Sequence, residues 1–504
     1  MKRTPNIISV LLVLLLVVGL LPAAYAEDIP TEYRLTDEPI TITLVRSDNP
    51  NQPMKLDALT IELIEKYTGV TLEVEAISGS DFGTKTEMLI ATNNLPDIMY
   101  DCFYVNNYAA SGVFLDIAKY LDHMPNFSRI LEEQPDLKKS YTGDSLYFVP
   151  VLGREVFRMG RSPQIRQDLL QATGLPVPNT FDELYTVLLA IKEANPATYP
   201  LANRNGTGNL FTCYAFPMGS GDGVYWEPTL NKYVFGQAEE NFLPVLEFFS
   251  KAYADGILDP DYAVCTGTQW QERLASGQSS FYFDNPSFAI NFNAALAAEG
   301  TGKAFGPIAV PEFNGTRRGL YNNKNNMGAT VINADTKHPE IVCALLDFLY
   351  SDVGCDLTNF GIKGVHYDVL ADGTYEMLPD AVTPFLTASD PMRAFYGEYG
   401  LGLLGMARYI DERSQAPFMT EESLNWYEQW GNWDFMREPV ADPSFTADQS
   451  EEIAELRTRI NDTFTAEYDK FIMGQRPVSE WPDVQAKVAD DVSRLCEIYN
   501  ATVK

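Results

Sequence analysis

The chain has 504 residues, with 37 Lys or Arg against 69 Asp or Glu and a formal net charge of −32 at pH 7. A field of that sign repels phosphate backbones and anionic membranes, so nucleic acid and lipid headgroups are excluded as general partners. The six cysteines, at 102, 213, 265, 343, 355 and 496, show no CxxC pair and no metal or disulfide-scaffold spacing. They read as scattered buried thiols; Cys343 and Cys355 are a candidate pair, although Cys343 sits in an apolar helical run that suits a small hydrophobe.

A targeting segment comes first. Lys2 and Arg3, the apolar run Ile7 to Leu21 and the triplet Ala24-Tyr25-Ala26 follow the order of a secretory signal peptide, which places the mature start near Glu27. That run is shorter than the roughly 20 residues of a bilayer span, and no later segment is long and apolar enough. Without Lys2 and Arg3 the chain keeps 35 basic residues against 69 acidic, a net charge of −34. This acidity reads as the solvated surface of an exported protein. The mature chain of about 480 residues exceeds what one core serves, so two lobes are expected.

Ile40, Ile42 and Leu44 alternate as a strand does, and Leu56, Leu59, Leu63, Ile64 and Tyr67 then repeat at helical spacing up to Gly69 as C-cap. Val70, Leu72, Val74 and Ala76 alternate again. Met88 to Ala91 are expected to begin a helix, and Leu95 to Tyr100 turns into a third strand, which completes a βαβαβ unit and predicts an open α/β sheet. The same grammar restarts after Pro150. Thr180-Phe-Asp-Glu183 is a capping box ahead of Leu184, Tyr185, Leu188, Leu189 and Ile191 on one helical face. Phe242 to Tyr253 reads as a further helix, Ser279 to Phe283 as a strand, and the last sixty or so residues as helical.

Seven stretches, taken in order, resemble the extracellular solute-binding protein family that includes maltose-binding protein, and most closely its larger oligosaccharide-binding members from Gram-positive bacteria. They are LPDIMYDCFYVNNYAASGVFLDI (95–117), YFVPV (147–151), IRQDLLQATGLPVPNTFDEL (165–184), LEFFSKAYADGILDPDY (246–262), ASGQSSFYFDNP (275–286), GATVINADTKHPEIVCALLDFLYSDVG (328–354) and GIKGVHYDV (361–369). The resemblance covers nearly the whole mature chain. It implies an α/β, two-lobed periplasmic-binding-protein-like fold of type II, with an N-terminal lobe at about 27–153 plus 319–385 and a C-terminal lobe at about 154–318 plus 386–504. It further implies a monomeric, non-enzymatic ABC transporter subunit that closes about a hinge on a carbohydrate and delivers it to a membrane permease. Two departures stand out. Gram-positive members usually carry a lipid-modified cysteine at the cleavage site, whereas the first cysteine here is Cys102. Several larger members carry an acidic calcium loop after the capped helix, whereas this chain reads KEANPATYPLA at 192–202, and one glutamate cannot hold a hard cation. No metal and no cofactor are expected.

A carbohydrate cleft needs aromatic platforms flanked by polar groups. Most of the 27 Tyr, 28 Phe and 6 Trp must fill cores, so the candidates are those in polar, turn-rich surroundings: Tyr104, Trp226, Trp270 and Phe288, together with Tyr396 in RAFYGEY. Polar candidates lie just beyond strands, where open α/β sheets receive ligands: Asp48 and Asn49, Asp101, and Asp284 with Asn285. Turn formation is the competing role for each of these Asp and Asn residues.

Enzymatic motifs are missing from the sequence. His123, His338 and His366 are the only histidines and are far apart, without HExxH, GxSxG or GxxxxGK[ST]. Gly400-Leu-Gly402-Leu-Leu-Gly405 fits GxGxxG formally but follows RAFYGEY rather than an apolar strand, and reads as a turn near the lobe interface. The alternatives are a glycosidase or polysaccharide lyase, whose carboxylate pair would be hidden among 69 acidic residues, and a sensory sugar-binding protein without a permease.

Overall fold

The computed structural model describes residues 31–503 except 103, 154–159, 299, 301, 322–327, 389, 441, 442 and 444. The expected signal peptide lies outside the described residues. Two main sheets use eight strands, numbered here in chain order: β1 (Ile40–Asp48), β2 (Val70–Ser78), β3 (Ile98–Met99), β4 (Val149–Pro150), β5 (Ser162–Arg166), β6 (Phe281–Asp284), β7 (Phe305–Pro307) and β8 (Ala329–Ile332).

The first sheet has the order β2-β1-β3-β8-β4. β1 and β2 run parallel in a continuous register from Ile40–Val70 to Asp48–Ser78. Between them the Leu59–Thr68 helix buries Ile61, Leu63 and Ile64, and Gly69 ends it in the left-handed region with φ 75°. A Cβ there would come within 2.6 Å of the Thr36 carbonyl oxygen, so glycine is required. The helix after β2 spans Gly79–Ala91, so Met88 to Ala91 end it rather than begin it. Its buried face is Phe82, Thr86 and Ile90, and the threonine interrupts the apolar stripe that would otherwise announce its start.

β8 enters from the far side of the molecule. It lies antiparallel to both β3 and β4, and the Cys102 and Val151 N–H groups donate to the Ala329 and Gly328 carbonyls at 2.9 and 3.1 Å. The chain therefore leaves the first lobe after β4, builds the second, and returns to close the first sheet.

The second lobe has a three-stranded antiparallel sheet ordered β6-β5-β7. The capping box forms as expected: the Glu183 N–H donates to Thr180 Oγ1 at 3.2 Å, and the Thr180 N–H donates back to Glu183 Oε2 at 3.2 Å. Helices Leu243–Ala254, Ala447–Ile472 and Ala489–Asn500 cover the core, with Phe249, Ile460, Phe464, Leu495 and Trp481 buried in one cluster.

Residues around 391–410 pack on the first lobe rather than on the second, to which residues from 386 onward were expected to belong. Phe395, Tyr396 and Leu401 share a core with Phe360 and Tyr367, and Ala407 and Ile410 pack on Val151. The Gly400–Gly405 stretch is a tightly packed turn: a Cβ on Gly400 would lie 2.3 Å from Thr60 Oγ1, and one on Gly405 would lie 2.1 Å from the Gly400 carbonyl oxygen. Across the cleft, the short Val105–Tyr108 helix packs near the Ala447–Ile472 helix, so the lobes touch. Cys343 and Cys355 are both free thiols. No helix among the described residues is long and apolar enough to cross a membrane.

In the loop after the capped helix, Lys192 Nζ donates to the Pro196 and Thr198 carbonyls at 2.9 and 2.8 Å and lies 4.5 Å from the centre of the Tyr199 ring. Among the described residues no three His, Cys, Asp or Glu converge as metal ligands. An ammonium group thus gathers the carbonyls that a bound cation could otherwise gather. We expect Lys192→Met to destabilise the protein by about 1 to 2 kcal/mol, since the carbonyls lose a charged donor at a partly exposed site. Calcium and chelator should leave the wild-type melting temperature unchanged, and a calcium-dependent rise would show that a metal holds this loop.

Candidate functional site

An open α/β sheet such as that of the first lobe receives ligands outside the carboxyl ends of its parallel strands. On the first lobe that edge carries Arg46, Asp48, Tyr100 and Asp101. Arg46 shares the inward face of β1 with Ile42 and Leu44, so a charge is buried where the alternation calls for an apolar residue. Its Nε donates to the Ser47 carbonyl at 3.2 Å and its Nη1 to the Gly405 carbonyl. Burial depresses this guanidinium below its ordinary pKa; Asp101 offsets that effect and the like charge of Arg408 reinforces it. Asp101 itself adopts φ 58°, in the left-handed region that Asp tolerates better than most residues.

The second lobe balances its charges. Arg204 Nε and Nη2 donate to Asp284 Oδ2 and Oδ1 at 2.7 and 3.1 Å. Asp284 is only 4% exposed. Burial alone would raise its pKa, but Arg204, Arg161 and the Asn285 N–H outweigh it and hold the carboxyl below its ordinary value. Arg204 also lies over the rings of Trp270 and Phe288, at 5.1 and 5.0 Å.

The expected site residues divide between these edges and the cores. Trp270, Asp284, Asn285 and Phe288 do come together, around Arg204. Trp270 is nevertheless 1% exposed, packed edge-on against Tyr282 and Phe288 at 5.2 and 5.0 Å, and is a core residue rather than an open platform. The polar neighbours that suggested a cleft wall have a different cause: Thr266 and Gln269 form a capping box, and Trp270 with Leu274 is the buried face of the helix it starts. Tyr396 is 5% exposed, with its hydroxyl 2.6 Å from Ser414 Oγ, and also belongs to a core. Trp226 is half-buried in the Val224–Glu227 and Lys232–Phe235 hairpin, edge-on to Tyr233 at 5.1 Å. Asp48 accepts from the Met54 N–H at 2.8 Å and Asn49 from the Asn51 N–H at 2.9 Å, as turn-forming residues do. Tyr104 is half-buried, its hydroxyl above Gly83. Arg46, Arg204 and Arg408 were missed. Only Arg46 left a trace in the sequence, as a charge in phase with Ile42 and Leu44.

The histidines hold no catalytic arrangement. His123 is exposed, and His338 precedes the Pro339–Phe348 helix. His366 is buried, accepts at Nδ1 from the Ile362 N–H at 3.0 Å, and is pushed down to about 4 by burial.

Two α/β lobes joined by repeated crossings, each with a charged edge at its strand ends, define a two-lobed ligand-binding protein. The bacterial extracellular solute-binding protein family matches residues 51–354, and the chain belongs to that family. It is 25% identical to the lipoprotein LipO of Bacillus subtilis over 345 residues, which are 63% of this chain and 66% of LipO. It is 26% identical to the fructooligosaccharide ABC transporter substrate-binding protein FusA of Streptococcus pneumoniae over 260 residues, 47% of this chain and 48% of FusA. The matched part thus spans about two thirds of LipO and about half of FusA. The fold is that of the alginate-binding protein AlgQ2, solved without calcium, with a TM-score of 0.81 and 19% identity over 94% of this chain and 99% of that one.

Two outcomes test this geometry. Arg204→Met leaves an ionised Asp284 buried without its partner and should cost about 3 to 5 kcal/mol, most of it recovered in the double variant with Asp284→Asn. Denaturant titration of the four proteins measures the coupling, and additive losses would mean the pair is not the unit described. The His366 pKa is lowered by folding, so its contribution is complete above the unfolded value of 6.5 and declines as pH falls toward about 4. His366→Gln should flatten the loss of stability across that window.

Proposed function

We propose that this protein is the exported substrate-binding subunit of an ABC importer, which captures a carbohydrate between its lobes and passes it to a membrane permease. Membership of the extracellular solute-binding family carries the reading, because it joins the fold to the task of binding. The residue chemistry agrees with it. Arg204, Asn285 and Phe288 place charged, polar and apolar groups side by side at one strand edge, the combination that sugar hydroxyls and C–H faces need, with Asp284 buried beneath as the partner of Arg204. The relatives' names point the same way, to fructooligosaccharide for FusA and alginate for AlgQ2. LipO is named a lipoprotein, whereas the first cysteine of this chain is Cys102.

A thermal-shift screen over mono- and oligosaccharides, followed by small-angle scattering, tests the reading. A cognate ligand at 100 times its Kd adds about 2.7 kcal/mol to stability and should raise the melting temperature. The radius of gyration should fall as the lobes close, since a ligand favours the state it binds better. New reducing ends in the same mixtures would instead indicate a glycosidase or lyase.

A further inference from the structure

Arg166, Arg204, Arg459 and Arg494 each use one edge of the guanidinium, Nε with Nη2, to clasp a single carboxylate. Their partners are Asp168 (2.7 and 2.7 Å), Asp284 (2.7 and 3.1 Å), Asp491 (3.1 and 2.8 Å) and Glu452 (2.7 and 2.9 Å). Arg408 is prepared in the same way and holds nothing. Its Nη1 donates to Thr330 Oγ1 at 3.0 Å, and the centre of the Tyr100 ring lies 3.6 Å from its guanidinium carbon. Its side chain is 0% exposed, yet Nε and Nη2 have no hydrogen-bond partner. Its neighbour Arg46 is also buried and is bonded to the carbonyls of Ser47 and Gly405 rather than to a carboxylate.

A buried, fixed guanidinium fork without an acceptor is unfavourable until its donors are paired, and a planar carboxylate matches the fork in two parallel, charge-assisted hydrogen bonds where water would supply neutral ones. Arg408 lies at the carboxyl edge of the first-lobe sheet. Its carbonyl accepts from the Leu152 N–H just after β4, Thr330 belongs to β8, and Tyr100 follows β3. That is the edge where ligand is received. We propose that the ligand is an anionic saccharide whose uronate carboxylate occupies the Nε–Nη2 fork of Arg408. The proposal rests on the carbohydrate-importer reading and narrows it to acidic sugars.

Calorimetric titration with oligogalacturonates, their fully methyl-esterified counterparts and neutral oligosaccharides of equal length tests the proposal on the full mature protein. The acidic oligomer should bind at least about tenfold more tightly than its ester, since esterification removes the charge and keeps the skeleton. Arg408→Lys keeps a charge without the fork and should lose about tenfold or more in affinity for the acidic oligomer only. Arg408→Gln should melt no earlier than wild type without ligand, because it removes an unpaired charge; a core arginine with a purely structural role would melt earlier. Equal binding of acid and ester, or tight binding of neutral sugars alone, overturns the acidic assignment and leaves the carbohydrate reading standing. Unchanged acid affinity in Arg408→Lys overturns the assignment to this fork. No binding of any saccharide overturns the carbohydrate reading and this proposal with it. The acid-against-ester comparison needs only wild-type protein, so the charge inference stays falsifiable even where a variant does not fold.

Discussion

The first-lobe sheet is complete only when β8, more than two hundred residues after β3, inserts antiparallel between β3 and β4. Backbone groups buried in a sheet must be paired, so neither neighbour is satisfied until the second lobe has been built and the chain has come back. The same closure brings four distant segments to one point: Tyr100 and Asp101 after β3, Leu152 after β4, Gly328 to Thr330 at the start of β8, and the turn that ends in Arg408. The charged edge of the first lobe is thus a product of its topology.

The two edges solve the problem of buried charge differently. On the second lobe, Arg204 and Asp284 neutralise each other within a bidentate pair, and two aromatic rings cover the cation. On the first lobe, Arg46 feels the charge of Asp101, and neither it nor Arg408 has a bonded carboxylate of its own. A protein with a net charge of −32 thus buries two arginines, Arg46 and Arg408, at one sheet edge. Low dielectric strengthens any anion contact made there and penalises leaving it unmade.

Much of this molecule was legible one segment at a time. The strand pattern of β1 and β2, the left-handed Gly69 cap, the Thr180–Glu183 box and the order of seven family-like stretches all depend on residues a few positions apart. They determined the α/β class, the two lobes and the family. What local pattern could not determine was which side chains meet. Polar residues around Trp270 marked a helix start rather than an open surface, because a capping box and a cleft rim draw on the same residue types. Asp48 and Asn49 were at the expected edge but bind their own turns. Residues near 400 went to the first lobe because Gly400 lets the chain lie against Ala58 and Thr60. Arg408 carried no signal at all, since its acceptor Thr330 is 78 positions away and its stacking partner Tyr100 is farther still. Periodicity and caps are short-range and survive in the sequence, whereas the pairing of a buried charge is a long-range contact decided only when the sheet closes.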